Sequence, residues 1–394
     1  HAVKNHPYVV FIETFLSSRT GNDRPRLLGL TASPAAGNPI QMKLQLRDLS
    51  RLCGAQLYTP CIYRNDLAIA VNRPKTKFIS VDLTSGDSAL SQLLFDNIRE
   101  LLIDESCPCS NLEDVRNNLY GLTVKSCQDR LLSAKLYKVH HFLTALEMTS
   151  ILGSRYSQSY LINLLNDGGL EKVLTPLEEK ILKMCREEEM TISPKAKALC
   201  QILESIDLVA VPETRMIIFV ETKRTARWMA SFLQEYLSNS GVNEWNPTAF
   251  TGQASNSVDG MNWNDEQRPI LALFRSGHIK LLIATNVLQE GLDVAACNHI
   301  VLFDRTWSLK AFLQSRGRAR AQDSEYTIIC SASDERYYEK LFQQEIILTK
   351  MVRDEMVDAK VLSLEFAMTV IHLNLKCRKM QFTKPTKAFS EDDG

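Results

Sequence analysis

The sequence predicts an α/β fold: a parallel-sheet lobe with an inserted helical domain, preceded by the end of another α/β unit and followed by a helical tail. Three observations carry this. From about Glu213 onward, short apolar runs alternate with amphipathic stretches, which is the pattern of βαβ units. Between Ser88 and Leu208, Leu, Ile and Met recur at helical spacing with little Gly or Pro away from turns. Near the start, the apolar run 27–30 leads through Thr31, Ala32, Ser33 and Pro34 into the amphipathic stretch 41–52.

Each element follows from its pattern. Strands are expected at 216–220, 248–250, 280–285, 299–303 and 326–330, where β-branched and aliphatic residues form short bounded runs. Helices are expected between them at 224–237, 265–275 and 309–318. These assignments give domains at 1–84, the closing part of the first α/β unit; 85–208, the helical insertion; 209–332, the second α/β lobe; 333–360, a helical connector; and 361–394, a further partial domain. Asp167-Gly168-Gly169 and Ser193-Pro194 punctuate the insertion.

Composition narrows the class without naming it. The 394 residues are 45% hydrophobic and 23% charged, the make-up of a globular protein with room for two or three domains. Lys and Arg number 46 against 46 Asp and Glu, so any affinity for phosphate must come from a local cluster. No window approaches 18 consecutive apolar residues, and the first six residues lack an apolar signal core, so an intracellular protein, cytoplasmic or nuclear, without a membrane partner is expected. Ten scattered cysteines show no disulfide framework and no zinc spacing, and Cys107 with Cys109 reads as a thiol-bearing turn; no metal site is expected. His1 in place of Met suggests a piece of something longer.

Three segments carry chemistry. Gln314-Ser315-Arg316-Gly317-Arg318-Ala319-Arg320 places three arginines at alternate positions around a glycine, and their planar forks suit phosphate oxygens. About thirty residues earlier, the segment 284–293 begins where a strand ends: Thr285 can donate to a phosphate, Gly291 permits close backbone approach, and Asp293 can accept from a ribose hydroxyl. Thr31 and Ser33 are two hydroxyls at a third strand end; alone they read as an ordinary turn. Thr222 after one strand, and Thr251 with Gly252 after the next, stand where a groove for a phosphate backbone can form. His140 and His141 read as packing or surface residues, and the four tryptophans as core or domain-surface residues.

In this order the segments resemble the motifs of a superfamily two RNA helicase of the DExH type. The segment 31–33 resembles motif III, 216–222 motif IV, 284–293 motif V and 314–320 motif VI. The helical insert and the Gln-x-x-Gly-Arg-x-Arg form narrow the resemblance to the clade of the Dicer family and the antiviral dsRNA-sensor helicases. Residues 1–8 are similar to the stretch after the DExH box in the Dicer family, 136–161 to its helical insertion, and 361–372 to the start of its dimerisation domain.

The resemblance implies two RecA-like lobes, with ATP and Mg²⁺ between them and double-stranded RNA as partner, in an endoribonuclease of small-RNA production. It implies that Arg318 and Arg320 reach the γ-phosphate, that Gln314 positions the attacking water, and that Gly291 and Asp293 face the nucleotide. Thr222, Thr251, Gly252, Thr285 and Asn286 would touch the RNA backbone, and Thr31 and Ser33 would couple the two sites. A dsRNA-binding partner protein would dock on the insertion. Two departures limit this. The sequence has no G-x-x-x-x-G-K-[ST] loop and no D-E-x-H box, so this chain alone is expected not to hydrolyse ATP, and it has no ribonuclease signature. An inactive helicase-like scaffold that docks a partner, and a dsRNA sensor, are the alternatives.

Overall fold

The computed structural model describes residues 7–16, 29, 34–53, 74–81, 88–103, 111–126, 129–166, 174–187, 191–251, 263–285, 296–305, 308–321 and 323–355. Its contacts divide the chain into two units, residues 65–343 and residues 1–64 with 344–394. In the smaller unit, α1 (Pro7–Phe11) runs into a π-helical turn at Ile12–Leu16, and α2 (Pro39–Cys53) buries Met42 and Leu46, four residues apart on one face. Asn38 caps α2 by accepting from the Gln41 N–H at 2.9 Å.

The larger unit holds a sheet of six parallel strands in the order β1-β6-β5-β2-β4-β3. These are β1 (Lys75–Ser80), β2 (Met216–Phe219), β3 (Thr248–Phe250), β4 (Leu281–Ala284), β5 (His299–Leu302) and β6 (Glu325–Cys330). Strands β2 and β4 are buried at every position, as expected of a parallel sheet covered on both faces. The five strands expected from 216 to 330 all form, within a residue or two of their expected ends.

Two domain boundaries move. Residues 75–80, expected with the N-terminal piece, form β1 and pair in parallel with β6, from Lys75 opposite Glu325 to Ser80 opposite Cys330. Their alternation of exposed and half-buried positions suits an edge strand, and Lys75 and Lys77 make ion pairs with Asp323 and Glu325. The other boundary lies at α8 (Pro194–Glu204), expected as the last helix of the insertion. Its Leu199, Cys200 and Leu203 sit in the same apolar core as Met216, Ile218 and Ile283. Residues 361–394 lie outside the described residues.

The insertion packs α3 (Ser88–Leu102), α4 (Leu112–Ser126), α5 (Arg130–Leu152), α6 (Ser154–Asn166) and α7 (Pro176–Glu187) around a separate core that includes Leu94, Ile98, Val139, Phe142, Leu161 and Ile181. Side chains fix the helix starts. Asp129 accepts from the N–H groups of Leu131 and Leu132, and Thr175 and Glu178 form a reciprocal capping box at 3.0 and 3.2 Å. Glu178 is fully buried, with Lys138 Nζ 2.8 Å from its carboxylate. Between α5 and α6, Gly153 has φ +102°, and a Cβ there would strike the backbone of Thr191 and Ser193, so only glycine fits.

On one face of the sheet lie α8 and α9 (Lys223–Asn239). Toward the other, Phe312 of α11 (Leu309–Arg316) and Tyr338 and Phe342 of α12 (Ala332–Glu355) cluster with Phe78 and Tyr326. The helix α10 (Trp263–Ser276) precedes β4. Among the described residues, no helix is long and apolar enough to cross a membrane, and no group of His, Cys, Asp or Glu is placed to hold a metal ion.

Candidate functional site

Because every strand is parallel, the sheet has two chemically distinct edges. Loops leaving the strands lie at the C-terminal edge, and loops arriving from helices lie at the N-terminal edge. The candidate residues divide between them.

Thr222, Thr251 and Thr285 stand at the C-terminal edge, just beyond β2, β3 and β4. Thr222 is exposed and caps α9, its Oγ1 accepting from the Thr225 N–H at 3.0 Å and lying 2.8 Å from Thr225 Oγ1. Thr251 is half-buried, and its carbonyl accepts from Gln267 Nε2 of α10 at 2.6 Å. Thr285 is buried, and its N–H reaches the Phe250 carbonyl at 3.4 Å, which extends the β3–β4 ladder by one bond. Strands β3, β4 and β2 are adjacent, so the three threonines follow one another along the edge.

Beside them, β2 and β5 send their connections in opposite directions across the sheet, which makes their shared end a topological switch point. Asp304 accepts there from the Glu221 N–H at 2.8 Å, and Lys195 of α8 donates to the Phe303 carbonyl at 3.2 Å. Burial holds the Asp304 carboxyl above the ordinary carboxylate range, against the pull of the Glu221 N–H and Lys195. Asp304 stands shortly before the arginine segment in the chain. Its use as a backbone acceptor follows from β2 and β5 being neighbours.

The arginine segment lies at the opposite edge. α11 starts at the C-terminal edge, capped by Ser308 accepting from the Ala311 N–H at 3.1 Å, and ends at Arg316, so residues 317–324 reach the N-terminal ends of the strands. Four residues of strand separate the edges by about 13 Å. There Ala321 donates to the Cys297 carbonyl at 3.3 Å. Burial pushes the Cys297 thiol up to about 12, against the pull of Arg215, Arg318 and Arg320, so three guanidiniums share this corner. Arg318 is half-buried and Arg320 exposed, with its Nε 3.2 Å from the Gly317 carbonyl.

The three arginines of the segment are not equivalent. Arg316 lies over the rings of Phe312 and Phe342 at 5.4 and 5.7 Å, which turns it toward the core. Arg215, which sequence reasoning missed, braces the corner. It is 13% exposed and donates to the carbonyls of Phe274 at 2.8 Å, Arg275 at 2.9 Å and Glu213 at 3.1 Å, closing the end of α10. Gln314 is half-buried on the last turn of α11. Thr31, Ser33, Gly252, Asn286, Gly291 and Asp293, like Cys107 and Cys109, lie outside the described residues.

Of the remaining aromatic and histidine residues, His140 is exposed and Trp307 lies outside the described residues. Trp245 is fully buried, Trp228 is half-buried beneath Arg224, and His141 pairs with the Tyr160 hydroxyl within the insertion.

The helicase conserved C-terminal domain model matches residues 194–322, starting at α8. The chain is 29% identical over 375 residues to Dicer-like protein 2 of Aspergillus oryzae, covering 85% of this chain and 26% of that protein. It is 28% identical over 363 residues to Endoribonuclease Dicer homolog 2 of Arabidopsis thaliana, covering 85% of this chain and 25% of that protein. It is 25% identical over 410 residues to the antiviral innate immune response receptor RIG-I of Sus scrofa, covering 92% of this chain and 42% of that protein. A crystal structure of the Hef helicase domain of Pyrococcus furiosus aligns with a TM-score of 0.48 at 22% identity, over 86% of this chain and 71% of that one. The chain is thus similar to the helicase region of Dicer-like proteins, its 194–322 segment matches the helicase C-terminal domain model, and it spans about a quarter of the length of the Dicer-like relatives.

Proposed function

We propose that the chain is part of the helicase of a Dicer-like protein that binds double-stranded RNA and couples ATP hydrolysis to its recognition or translocation in small-RNA production. The observation that carries this reading is the division of the site. Guanidiniums gather at one edge of the sheet and hydroxyls at the other, so one lobe can meet a nucleotide and a nucleic-acid backbone at once.

In this reading the larger unit supplies the second RecA-like lobe with its helical insertion, and the segment through Cys53 is the remnant of the first lobe. Nucleotide phosphates fit the N-terminal edge, where three guanidiniums converge. Arg318 and Arg320 hold the γ-phosphate charge, and such a contribution is worth roughly 10³ to 10⁵ in rate. Gln314 orients the attacking water, while Gly291 and Asp293 hold the nucleotide. ATP, when bound, supplies the phosphoryl group transferred to water. The groups that hold Mg²⁺ come from elsewhere in the intact protein, since the chain has neither a phosphate loop nor a DExH box.

At the other edge Thr222, Thr251, Gly252, Thr285 and Asn286 follow the RNA backbone. Hydroxyl and amide donors on a row of strand ends read phosphate spacing and A-form shape rather than base sequence. Thr31 and Ser33 couple the lobes. Leu131 and Tyr137, 70% and 63% exposed on α5, support a docking face for a dsRNA-binding partner protein. The longer match to the RIG-I receptor favours a second reading, a dsRNA sensor with the same two edges.

The test is dsRNA-stimulated ATP hydrolysis by the full-length protein, wild type against Arg318→Ala. The expected result is stimulated turnover in the wild type, lowered at least ~10³-fold in the variant, with dsRNA affinity unchanged. Absence of turnover in the wild type would overturn the coupled reading in favour of a scaffold.

A further inference from the structure

The insertion is joined to the lobe through α5. Leu132, Leu136, Val139, Phe142 and Leu146 of this helix belong to the insertion's core, whereas Leu152 belongs to the lobe's core, with Ile151 packed against it. Glu147 stands at the changeover and is shared between two arginines. Its Oε1 takes Arg116 Nη2 of α4 at 2.7 Å, and its Oε2 takes Arg224 Nη1 of α9 at 3.4 Å.

The two bonds are unequal. The Arg116 contact has the length of a strong charge-assisted bond, whereas the Arg224 contact is long and single, on a side chain 47% exposed. Arg224 is two residues beyond Thr222, and its guanidinium rests 5.7 Å from the centre of the Trp228 ring.

We propose that Arg224 is a further phosphate contact of the RNA-backbone edge, and that Glu147 of the insertion occupies it until RNA arrives. The inference rests on the reading of Thr222 as a backbone contact. A carboxylate is a stand-in for a phosphate here, with the same charge and the same preference for a guanidinium fork, but it is bound through one long contact where a phosphate can be bidentate. Release costs little on either side. Glu147 keeps Arg116, so no carboxylate is left without a cation, and an exposed ion pair contributes little to stability. Trp228 holds the Arg224 stem while its fork turns. RNA binding and the hold of the insertion on α9 therefore compete for one side chain.

The test is dsRNA affinity of the full-length protein without nucleotide, at two salt concentrations, for wild type, Glu147→Gln, Arg224→Gln and the double variant. Glu147→Gln is expected to bind about three- to tenfold tighter, a direction that loss of a structural contact does not give. Arg224→Gln is expected to bind more weakly and to lower the slope of log affinity against log salt by about 0.7 to 0.9, the signature of one lost phosphate contact. The double variant is expected to match Arg224→Gln. No tightening in Glu147→Gln, or tightening that persists in the Arg224→Gln background, overturns the inference; the latter would mark Glu147 as a general repulsive charge. A wild-type protein that binds no dsRNA overturns the functional reading itself, whereas binding without the Glu147 effect removes only the competition.

Discussion

The two edges of the sheet use opposite chemistries. At the C-terminal edge the candidate side chains are neutral hydroxyls, and that of Thr222 also serves the fold as the cap of α9. At the N-terminal edge they are guanidiniums, and one of these, Arg215, is spent on the carbonyls that close α10. The two edges therefore tolerate alteration differently. Hydroxyls are small enough to be structural and functional together, whereas a charged corner needs one arginine to hold the backbone so that others can face a ligand.

The largest expected effect that would break this comparison is at the N-terminal edge. Arg215→Ala removes three bonds from a guanidinium to backbone carbonyls, that of Phe274 half-buried and the other two exposed, and should lower stability by about 1 to 2 kcal/mol, measured by urea unfolding. If Arg318 depends on the brace, stimulated hydrolysis falls in parallel while dsRNA affinity holds. An unchanged unfolding midpoint would show that the corner is held by backbone alone.

Next comes Thr285→Val, which removes one hydroxyl at nearly constant volume. It should weaken dsRNA binding by about three- to tenfold with little change in turnover at saturating RNA, the mirror image of Arg318→Ala. Equal losses in both readouts would merge the edges into one site. Thr222→Ala should lower stability by about 1 kcal/mol through loss of the α9 cap, and Thr222→Ser should restore it. Affinity that recovers with Ser separates hydroxyl chemistry from side-chain shape.

The smallest effect is at the switch point between the edges' neighbours. Because burial raises the Asp304 carboxyl, the native state binds its proton more tightly than the unfolded chain does. Asp304 therefore makes stability fall as pH rises from the unfolded carboxylate value through its raised folded value. Asp304→Asn should flatten the pH dependence of the thermal midpoint in that window. A steeper dependence in the variant would reverse the sign argued here.

Much of this was legible in the chain. The runs 216–220 and 280–285 are too apolar for a half-exposed strand and too short for a buried helix, and both become strands buried on two faces. Ser193-Pro194 punctuated the insertion, and there Ser193 caps a helix; Thr222, expected only at a strand end, caps the helix expected at 224–237. The edge on which Arg318 and Arg320 lie was also available. A segment between a helix and the next parallel strand arrives at the strand's N-terminal end. Strand β1 was harder, because its Lys-Thr-Lys-Phe alternation is short and its partner lies some 250 residues onward. The stack of Arg316 was half legible, since Phe312 lies one turn back on the same helix, but Phe342 comes from α12.

The sequence alone was enough for the five strands from 216 to 330 and the helical stretches between them, and for singling out the candidate residues for phosphate chemistry, because these depend on periodicity and on groups a few residues apart. Only the tertiary structure decided that 75–80 closes the lobe's sheet, that Arg215 serves the end of α10, and that Glu147 lies between Arg116 and Arg224. Those choices depend on which distant backbones pair and which cores share a helix. Local propensity does not encode them; burial of both sheet faces and satisfaction of every buried carbonyl select them.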